Sequence, residues 1–384
     1  MSSELSDKLK QFIANVRDPS FVSQQIDALC DNIPARGWGV TGLENLGNSC
    51  YLNAIIQCLR HTSQLTDALQ MSQQQRLLSK NFTNHTINGP TAMVLVNYIK
   101  ISNLLWGQDT PKISPIGFKI LLGESNEQFA NNQQHDAHEL LVTLLQLFHD
   151  TLSKTVGYRV TGTITSELDT QIKKAHDDWV VYYKNKHSVI LDIFSGQLRT
   201  ELVCLNCQRP TYVFDPIMVF DLSLPSVDSS QIISLEQCFN NFIMTEQLSE
   251  DNLYSCNFCH ARTCAHKTMS IWSLPKILII KLNRFQQQFS NGVYQSRKIN
   301  TGVTYPLMGF NVSPYISLPV VGETLYDLYA VTCHMGNMEG GHYYSICFNH
   351  STNSWINCND GRCVPCNNPI SEHAYILYYK LRKN

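Results

Sequence analysis

Cys50 closes the run Gly42-Leu43-Glu44-Asn45-Leu46-Gly47-Asn48-Ser49-Cys50-Tyr51-Leu52-Asn53. The glycines and asparagines predict a tight loop, and Asn48 or Ser49 is placed to cap a helix that begins at Cys50. A thiol at that position faces the positive end of the helix and its free backbone N–H groups. Both favour the thiolate, the nucleophilic form of the group. The same N–H groups could hold an oxyanion formed beside the sulfur, with the Asn45 side-chain amide as a further donor. A structural cysteine opening a core helix is the plain alternative, and spacing alone leaves it standing.

A thiol nucleophile needs a histidine as base and then acid, and a third group that fixes the imidazole. The chain has 13 histidines. His85, His176 and His187 stand in polar surroundings, and His61, His149 and His373 border apolar runs. The stretch from Tyr326 to Ser345 differs: Tyr326 to His334 reads as a strand, Gly336 to Gly341 as a glycine-containing loop, and His342 opens a returning strand. Glycines let a backbone pass close to a bound chain. A further strand, Trp355 to Cys358, ends at Asn359-Asp360-Gly361, where a polar side chain could meet His342 from a neighbouring strand. On the residues alone His334 competes with His342 as the base.

Cys204-x-x-Cys207 and Cys256-x-x-Cys259 are two pairs far apart in the chain. Cysteine knuckles on two hairpins can close a tetrahedral, structural zinc site. Cys256, Cys259, Cys264 and His266 form a local competitor. A third pair, Cys363-x-x-Cys366, has no partner pair and reads as structural or incidental.

These groups must be carried by a framework whose pattern changes along the chain. Residues 1–38 read as a helical extension. Leu9, Phe12, Ile13 and Val16 share one helical face, and Phe21, Val22, Ile26 and Leu29 continue past Pro19. A packing arm on the main domain is the plain reading, and a docking helix the sharper one. From Cys50 to His149 the spacing is mainly helical, with Ala137, Leu140, Leu141, Leu144, Leu145 and Phe148 as the clearest stripe. The Gln-, Ser- and Asn-rich stretch 70–88 is expected to be a loop. From about residue 190, β-rich runs dominate at 197–203, 211–222, 268–285, 326–334, 342–348 and 373–381. A helical half followed by a β-rich half predicts an α+β fold.

The 384 residues, 43% hydrophobic and 16% charged, can bury a large core. A net charge of −2 argues against a nucleic-acid-binding face. Ile277-Leu278-Ile279-Ile280, in the densest apolar stretch, is far too short to cross a bilayer, and the polar start Met1 to Gln11 lacks a secretory signal. A soluble protein of the cytoplasm or nucleus is therefore expected, with its Cys-x-x-Cys pairs reduced or metal-bound. Several Asn-x-Ser/Thr sequons, for example at Asn81 and Asn349, then read as chance.

The Cys50 segment resembles, at every position, the cysteine box Gly-Leu-x-Asn-Leu-Gly-Asn-[Ser/Thr]-Cys-[Tyr/Phe]-[Leu/Met]-Asn of the ubiquitin-specific proteases, papain-like deubiquitinases. Gln134-His135-Asp136-Ala137-His138-Glu139 resembles that family's intermediate box. Leu274-Pro275-Lys276 through Leu282-Asn283-Arg284-Phe285 resembles a family strand. The stretch from Tyr326 through Gly341-His342-Tyr343 and Trp355 to Asn359-Asp360, with Ala374-Tyr375-Ile376-Leu377 and Tyr379, resembles its histidine box. The resemblance spans about residues 40–381. It implies Cys50 as nucleophile, His342 as base in preference to His334, Asn359 as orienter supported by Asp360, and Asn45 as oxyanion donor. Asp136 and Glu139, with Gly340 and Gly341, would line the path of the ubiquitin tail. It also implies one structural zinc on Cys204, Cys207, Cys256 and Cys259, ubiquitin and ubiquitinated proteins as partners, and room for a regulatory protein partner. The implied fold is a hand: thumb about 39–190, zinc-supported fingers about 195–270, palm about 271–384. The chain departs from the family pattern at Leu140, where an aromatic is usual, at Cys358, also usually aromatic, and in carrying Asn rather than Asp at 359.

Overall fold

The computed structural model describes residues 10–29, 37–107, 110–225, 231–290, 293–318, 322–337 and 340–382. The helical stripes become α1 (Pro19–Asp27), α2 (Cys50–Arg60), α3 (Ser72–Thr83), α4 (Gly89–Leu105), α5 (Ile116–Ser125), α6 (Ala137–Leu152) and α7 (Glu167–Tyr183). Helix α2 is buried along its whole length, which suits a helix at the centre of a domain rather than on its surface. Helix α6 buries Ala137, Leu140, Leu141, Leu144, Leu145 and Phe148, the stripe read from its spacing. Fully burying each such large side chain contributes about 1.5–3 kcal/mol.

Stretch 70–88 corrects the expectation of a loop, because most of it is α3. Its Gln, Arg, Leu and Lys residues are good helix formers. Leu78 and Phe82, four residues apart, are buried, and Gln75 donates to the Leu29 carbonyl. The polar composition concealed a narrow apolar face. The sequon residues Asn81 and Asn349 serve the fold: buried Asn81 donates to the carbonyls of Thr151 and Ser153, and buried Asn349 donates to that of Trp38. In the extension, Val16, Val22, Ile26 and Leu29 join the same core as α2 and α6, whereas Leu9 lies outside the described residues.

The β-rich half forms two large sheets. The labelled strands are β1 (Gly196–Cys204), β2 (Pro210–Ile217), β3 (Val219–Ser223), β4 (Ala265–Ser273), β5 (Ile277–Asn283), β6 (Leu325–Gly336), β7 (Gly341–Asn349), β8 (Ser354–Asn359), β9 (Arg362–Pro365) and β10 (Ala374–Leu381). A four-stranded sheet runs β2-β1-β4 and ends on Glu246–Leu248. The larger sheet runs β9-β8-β7-β6-β10-β5-β3, with Phe310–Asn311 also pairing β6. Its labelled neighbours are antiparallel except β5 and β3, which are parallel. Strand β3 lies within 195–270 yet pairs in the larger sheet, so that span contributes to both sheets. The expected run 268–285 is interrupted at Leu274-Pro275, where proline cannot continue the ladder.

The larger sheet is buried on both faces. Along β5, Ile277 and Ile279 join the helical core, while Leu278, Ile280 and Leu282 join a second core beneath helix Leu235–Phe242. Alternation along a strand sends successive side chains to opposite faces, and here both faces are apolar, which accounts for the continuous run in the sequence. Buried Arg284 ends β5 by donating to the carbonyls of Ala374, Ile299 and Thr301. Among the described residues no helix is long and apolar enough to cross a membrane.

Candidate functional site

The loop before Cys50 and the β8–β9 turn are pressed together backbone to backbone. Leu43 N–H donates to the Asp360 carbonyl at 2.8 Å. A Cβ on Gly42 would lie 2.3 Å from the Gly361 carbonyl carbon, so only glycine fits there. Gly47 and Asn48 both take positive φ, 89° and 57°, and this turns the chain into α2 at Cys50. The Ser49 side chain does not cap that helix. Its hydroxyl accepts from Leu46 N–H at 2.8 Å and lies 3.3 Å from Asn45 Oδ1, which also accepts from Gly47 and Ser49 N–H. The expected cap is thus spent on folding the loop, and Asn48 donates instead to the Asn132 carbonyl.

Asp360 is the hub that joins these elements. One carboxylate oxygen accepts from the Asn45 amide at 2.9 Å and the other from the Asn53 amide at 2.8 Å. Asn53 sits one turn into α2 and also donates to the carbonyls of Leu43 and Glu44. The loop, the helix and the turn thereby share one carboxylate. His342 Nε2 lies 2.7 Å from Asn359 Oδ1 and 4.0 Å from Asp360 Oδ2. An amide oxygen can only accept, so His342 carries its proton on Nε2 and leaves Nδ1 with its lone pair.

The Cys50 thiol is almost fully buried. Burial pushes its pKa above the ordinary thiol value, against the pull of backbone N–H groups of Tyr343, Tyr51 and Cys50 itself, and the Asp360 charge adds to the rise. The backbone N–H groups at the helix start do favour the thiolate, as its position predicts, but burial opposes them. Desolvation outweighs the helix terminus here.

His334 lies on β6, where its strand neighbour on β7 is Tyr343. It is buried, its Nδ1 is 3.1 Å from Lys298 Nζ, and it packs against the rings of Phe285 and Tyr343. Burial, then the Lys298 charge, push it down to about 4. Lys298 also donates to the carbonyls of His334 and Gly336.

Asp136 caps α6 by accepting from His138 N–H, and accepts the Tyr375 hydroxyl on both oxygens at 2.9 and 2.7 Å. Burial and the Asp136 charge hold that phenol protonated. Exposed Glu139 accepts from the Gln128 amide at 2.6 Å. Gly341 is clamped in both directions by Gln134, its N–H donating to Oε1 at 3.0 Å and its carbonyl accepting from Nε2 at 3.2 Å. A Cβ on Gly341 would lie 2.2 Å from His334 Nε2, whereas one on Gly340 would meet nothing closer than 3.8 Å. Glu339 lies outside the described residues. Buried Lys119 donates to the carbonyls of Phe129 and Asn131 and so fixes the start of the Gln134 loop.

The sequence reading did not single out Asn53, Gln134, Tyr375 or Lys119 as site residues. Asn53 and Gln134 stood inside quoted motifs, and a polar residue on an otherwise apolar helix was the signal for Asn53. Tyr375 also stood inside a quoted motif, whereas nothing local marked Lys119.

The sulfurs of Cys204, Cys207, Cys256 and Cys259 all lie within 4.8 Å of one another, with 3.9 Å from Cys204 to Cys259 and 3.7 Å from Cys207 to Cys256. Tetrahedral zinc with Zn–S bonds of about 2.3 Å requires sulfurs about 3.8 Å apart, so these four could hold such an ion. The competing set with Cys264 and His266 is not the one brought together.

A family model described as ubiquitin carboxyl-terminal hydrolase matches residues 41–379. Human ubiquitin carboxyl-terminal hydrolase 2 is 31% identical over 347 residues, covering 89% of this chain and 55% of the relative. The Drosophila melanogaster hydrolase Usp2 is 30% identical, covering 89% of this chain and 35% of its own. This chain thus spans about half or less of the length of these relatives. A chain in the structure of the SAGA Ubp8/Sgf11/Sus1/Sgf73 DUB module bound to ubiquitin aldehyde matches with a TM-score of 0.67 at 23% identity, covering 92% of this chain and 72% of that one. That likeness shows the fold, an α+β arrangement shared with a ubiquitin-specific protease. With the family model spanning nearly the whole chain, this protein belongs to the ubiquitin carboxyl-terminal hydrolase family.

Proposed function

We propose that this protein is a deubiquitinase, a thiol hydrolase that cleaves the peptide or isopeptide bond after the C-terminal glycine of ubiquitin. The observation that carries the reading is the line from Asn359 through His342, with Nδ1 left to serve as base, beside a Cys50 thiol that feels the Asp360 charge and the backbone N–H of Tyr343. His342 takes the Cys50 proton, and the sulfur attacks the glycine carbonyl. The α2 N-terminal N–H groups and the second N–H of the Asn45 amide receive the oxyanion. His342 then protonates the departing amine, and water hydrolyses the thioester. Asp136, Glu139, Gly340 and Gly341 line the tail path, and Asp360 steadies both Asn45 and the imidazole.

The four finger cysteines would hold one structural zinc, which ties the β1–β2 turn to the 254–263 hairpin and takes no part in bond cleavage. Metal analysis is expected to return about one zinc per chain, and a Cys207→Ser protein none. Zinc absent from protein purified without chelators would remove this part of the reading. The partners of the reading are ubiquitin, ubiquitinated proteins and a regulatory protein. Solved neighbours held in multi-subunit modules support the last of these. A cytoplasmic or nuclear setting, where Cys50 stays reduced, accords with the reading, and fluorescence microscopy of a tagged chain tests it.

The second reading is a ubiquitin-binding scaffold or adaptor of weak catalytic power, and the assembled His342–Asn359 pair argues against it. A ubiquitin probe with a C-terminal electrophile separates the two. Labelling of the wild type that vanishes in Cys50→Ala supports the hydrolase. Ubiquitin binding by an unlabelled wild type would overturn it in favour of the scaffold.

A further inference from the structure

Two thiols beneath the cleft have no part in the reaction above. Cys358 ends the buried side of β8, one residue before Asn359, and Cys363 faces it on β9. Their sulfurs lie 2.8 Å apart. Asn359 and Arg362 pair across the two-residue turn Asp360-Gly361. The pair that closes such a turn exchanges backbone hydrogen bonds, so the next pair outward, Cys358 and Cys363, is of the non-hydrogen-bonded kind. There the Cα atoms approach to about 4.5 Å, within the range of about 4.4–6.8 Å that a disulfide spans. Cys358 is buried, whereas Cys363 is partly exposed on the edge strand of the sheet. Cys363 Sγ also lies 3.4 Å from the Thr41 carbonyl and 3.7 Å from the Gln57 amide. Position 358 is one where the chain departs from the aromatic usual in the family it resembles, so the pair belongs to this chain rather than to the shared catalytic apparatus.

We propose that Cys358 and Cys363 are a thiol-oxidation site, a dithiol that a hydroperoxide closes to a reversible disulfide under the turn carrying Asn359 and Asp360. The polarity of the pair assigns the order of events. The hydrogen bond with Cys358 holds the Cys363 thiol below its ordinary range, while burial pushes Cys358 well above its own. Cys363 thiolate attacks the terminal peroxide oxygen, the O–O bond breaks, and protonation of the leaving oxygen gives water from hydrogen peroxide, or an alcohol from an alkyl hydroperoxide, together with a sulfenic acid on Cys363. Cys358 sulfur then attacks the Cys363 sulfur, the S–O bond breaks, and the Cys358 proton leaves with the hydroxyl as water. Two electrons pass from the two thiols to one peroxide. The site does not depend on which reaction Cys50 performs.

The test uses the full chain as Cys50→Ala, so that the nucleophile contributes no oxidation product. The protein is treated with hydrogen peroxide, blocked with N-ethylmaleimide and digested without reductant for mass spectrometry. A cross-link between Cys358 and Cys363, two hydrogens lighter than the dithiol and regained by alkylation after dithiothreitol, is the expected result. Cys366→Ser added to the background should leave the cross-link in place, and Cys363→Ser should abolish it with Cys358 recovered as a thiol. Full alkylation of Cys363 after peroxide, over-oxidation of Cys363 without a cross-link, or a cross-link from Cys363 to Cys366 would each overturn the proposal.

Discussion

His334 and His342 stand on two strands of one hairpin, and their surroundings are opposites. His334 is enclosed by aromatic rings with a lysine ammonium on its Nδ1, and is held neutral. His342 is about one-third exposed, meets an amide oxygen on Nε2 and has a carboxylate 4.0 Å away. The first environment opposes an imidazolium, and the second accommodates one as it forms. Residue type and strand position could not separate them. The partners around each ring do, and they come from elements distant in sequence: residue 298 for one histidine, 359 and 360 for the other.

The sharpest way to break this contrast is to delete each ring in turn. His342→Ala is expected to lower turnover of a ubiquitin C-terminal fluorogenic substrate by about 10² to 10⁴. His334→Gln should leave turnover within about threefold, since an amide of similar size removes no group used in proton transfer. Comparable losses in both proteins would mean that the hairpin as a whole, not the His342 ring, carries the effect.

The next largest effect tests the orienter. Asn359→Ala leaves Nε2–H without its acceptor, and turnover should fall about tenfold to hundredfold while ubiquitin affinity is retained. Asn359→Asp restores an acceptor and adds charge, and should recover most of the loss with the pH optimum moved upward. An unchanged pH profile in Asn359→Asp, despite recovered turnover, would show that position 359 acts on the fold of the turn alone.

The contrast also explains what could be read from the sequence. Local signals sufficed where local physics decides. The apolar stripe of α6 predicted its buried face, and the Gly/Asn loop predicted a helix beginning at Cys50. Two Cys-x-x-Cys pairs predicted a four-sulfur cluster. Signals failed where the deciding term is non-local. Helix α3 was concealed because its buried face is set by Leu29 and neighbouring helices, not by composition. At Cys50 the pull of the helix terminus is visible in sequence, while the burial that opposes it is not. The Asp360 hub joins residues 45, 53 and 342, and no spacing rule foretells that convergence.

A third measurement sharpens the contrast by asking whether His342 acts on Cys50 before substrate arrives. Burial has raised the thiol above the ordinary value of 9.0, so the thiolate appears only as pH rises through and beyond that range. Iodoacetamide should therefore alkylate Cys50 in the free protein several-fold more slowly at pH 7 than a small free thiol, with the rate climbing beyond pH 9. A plateau already reached at neutral pH would mean that a preformed Cys50–His342 ion pair exists and that desolvation does not control the free protein. Repeating the measurement with ubiquitin bound would show whether substrate lowers the barrier to proton transfer.

The smallest effect concerns stability and comes from the other histidine. His334 has a folded pKa of about 4 against 6.5 for the unfolded chain. Between those values the unfolded state binds more protons, so stability must fall as pH falls. The loss is negligible at pH 7, about 2 kcal/mol by pH 5, and complete below the folded value. Glutamine at 334 cannot titrate, so the drop in denaturation midpoint between pH 7 and pH 5 should be smaller in His334→Gln than in wild type, even if the variant starts lower. Equal drops would mean that His334 protonates as readily in the folded chain as in the unfolded one, and its separation from His342 would then rest on position rather than charge. A smaller drop, with turnover preserved, would place the two rings in different roles: one neutral and structural beside Lys298, the other free to accept and return a proton at the cleft.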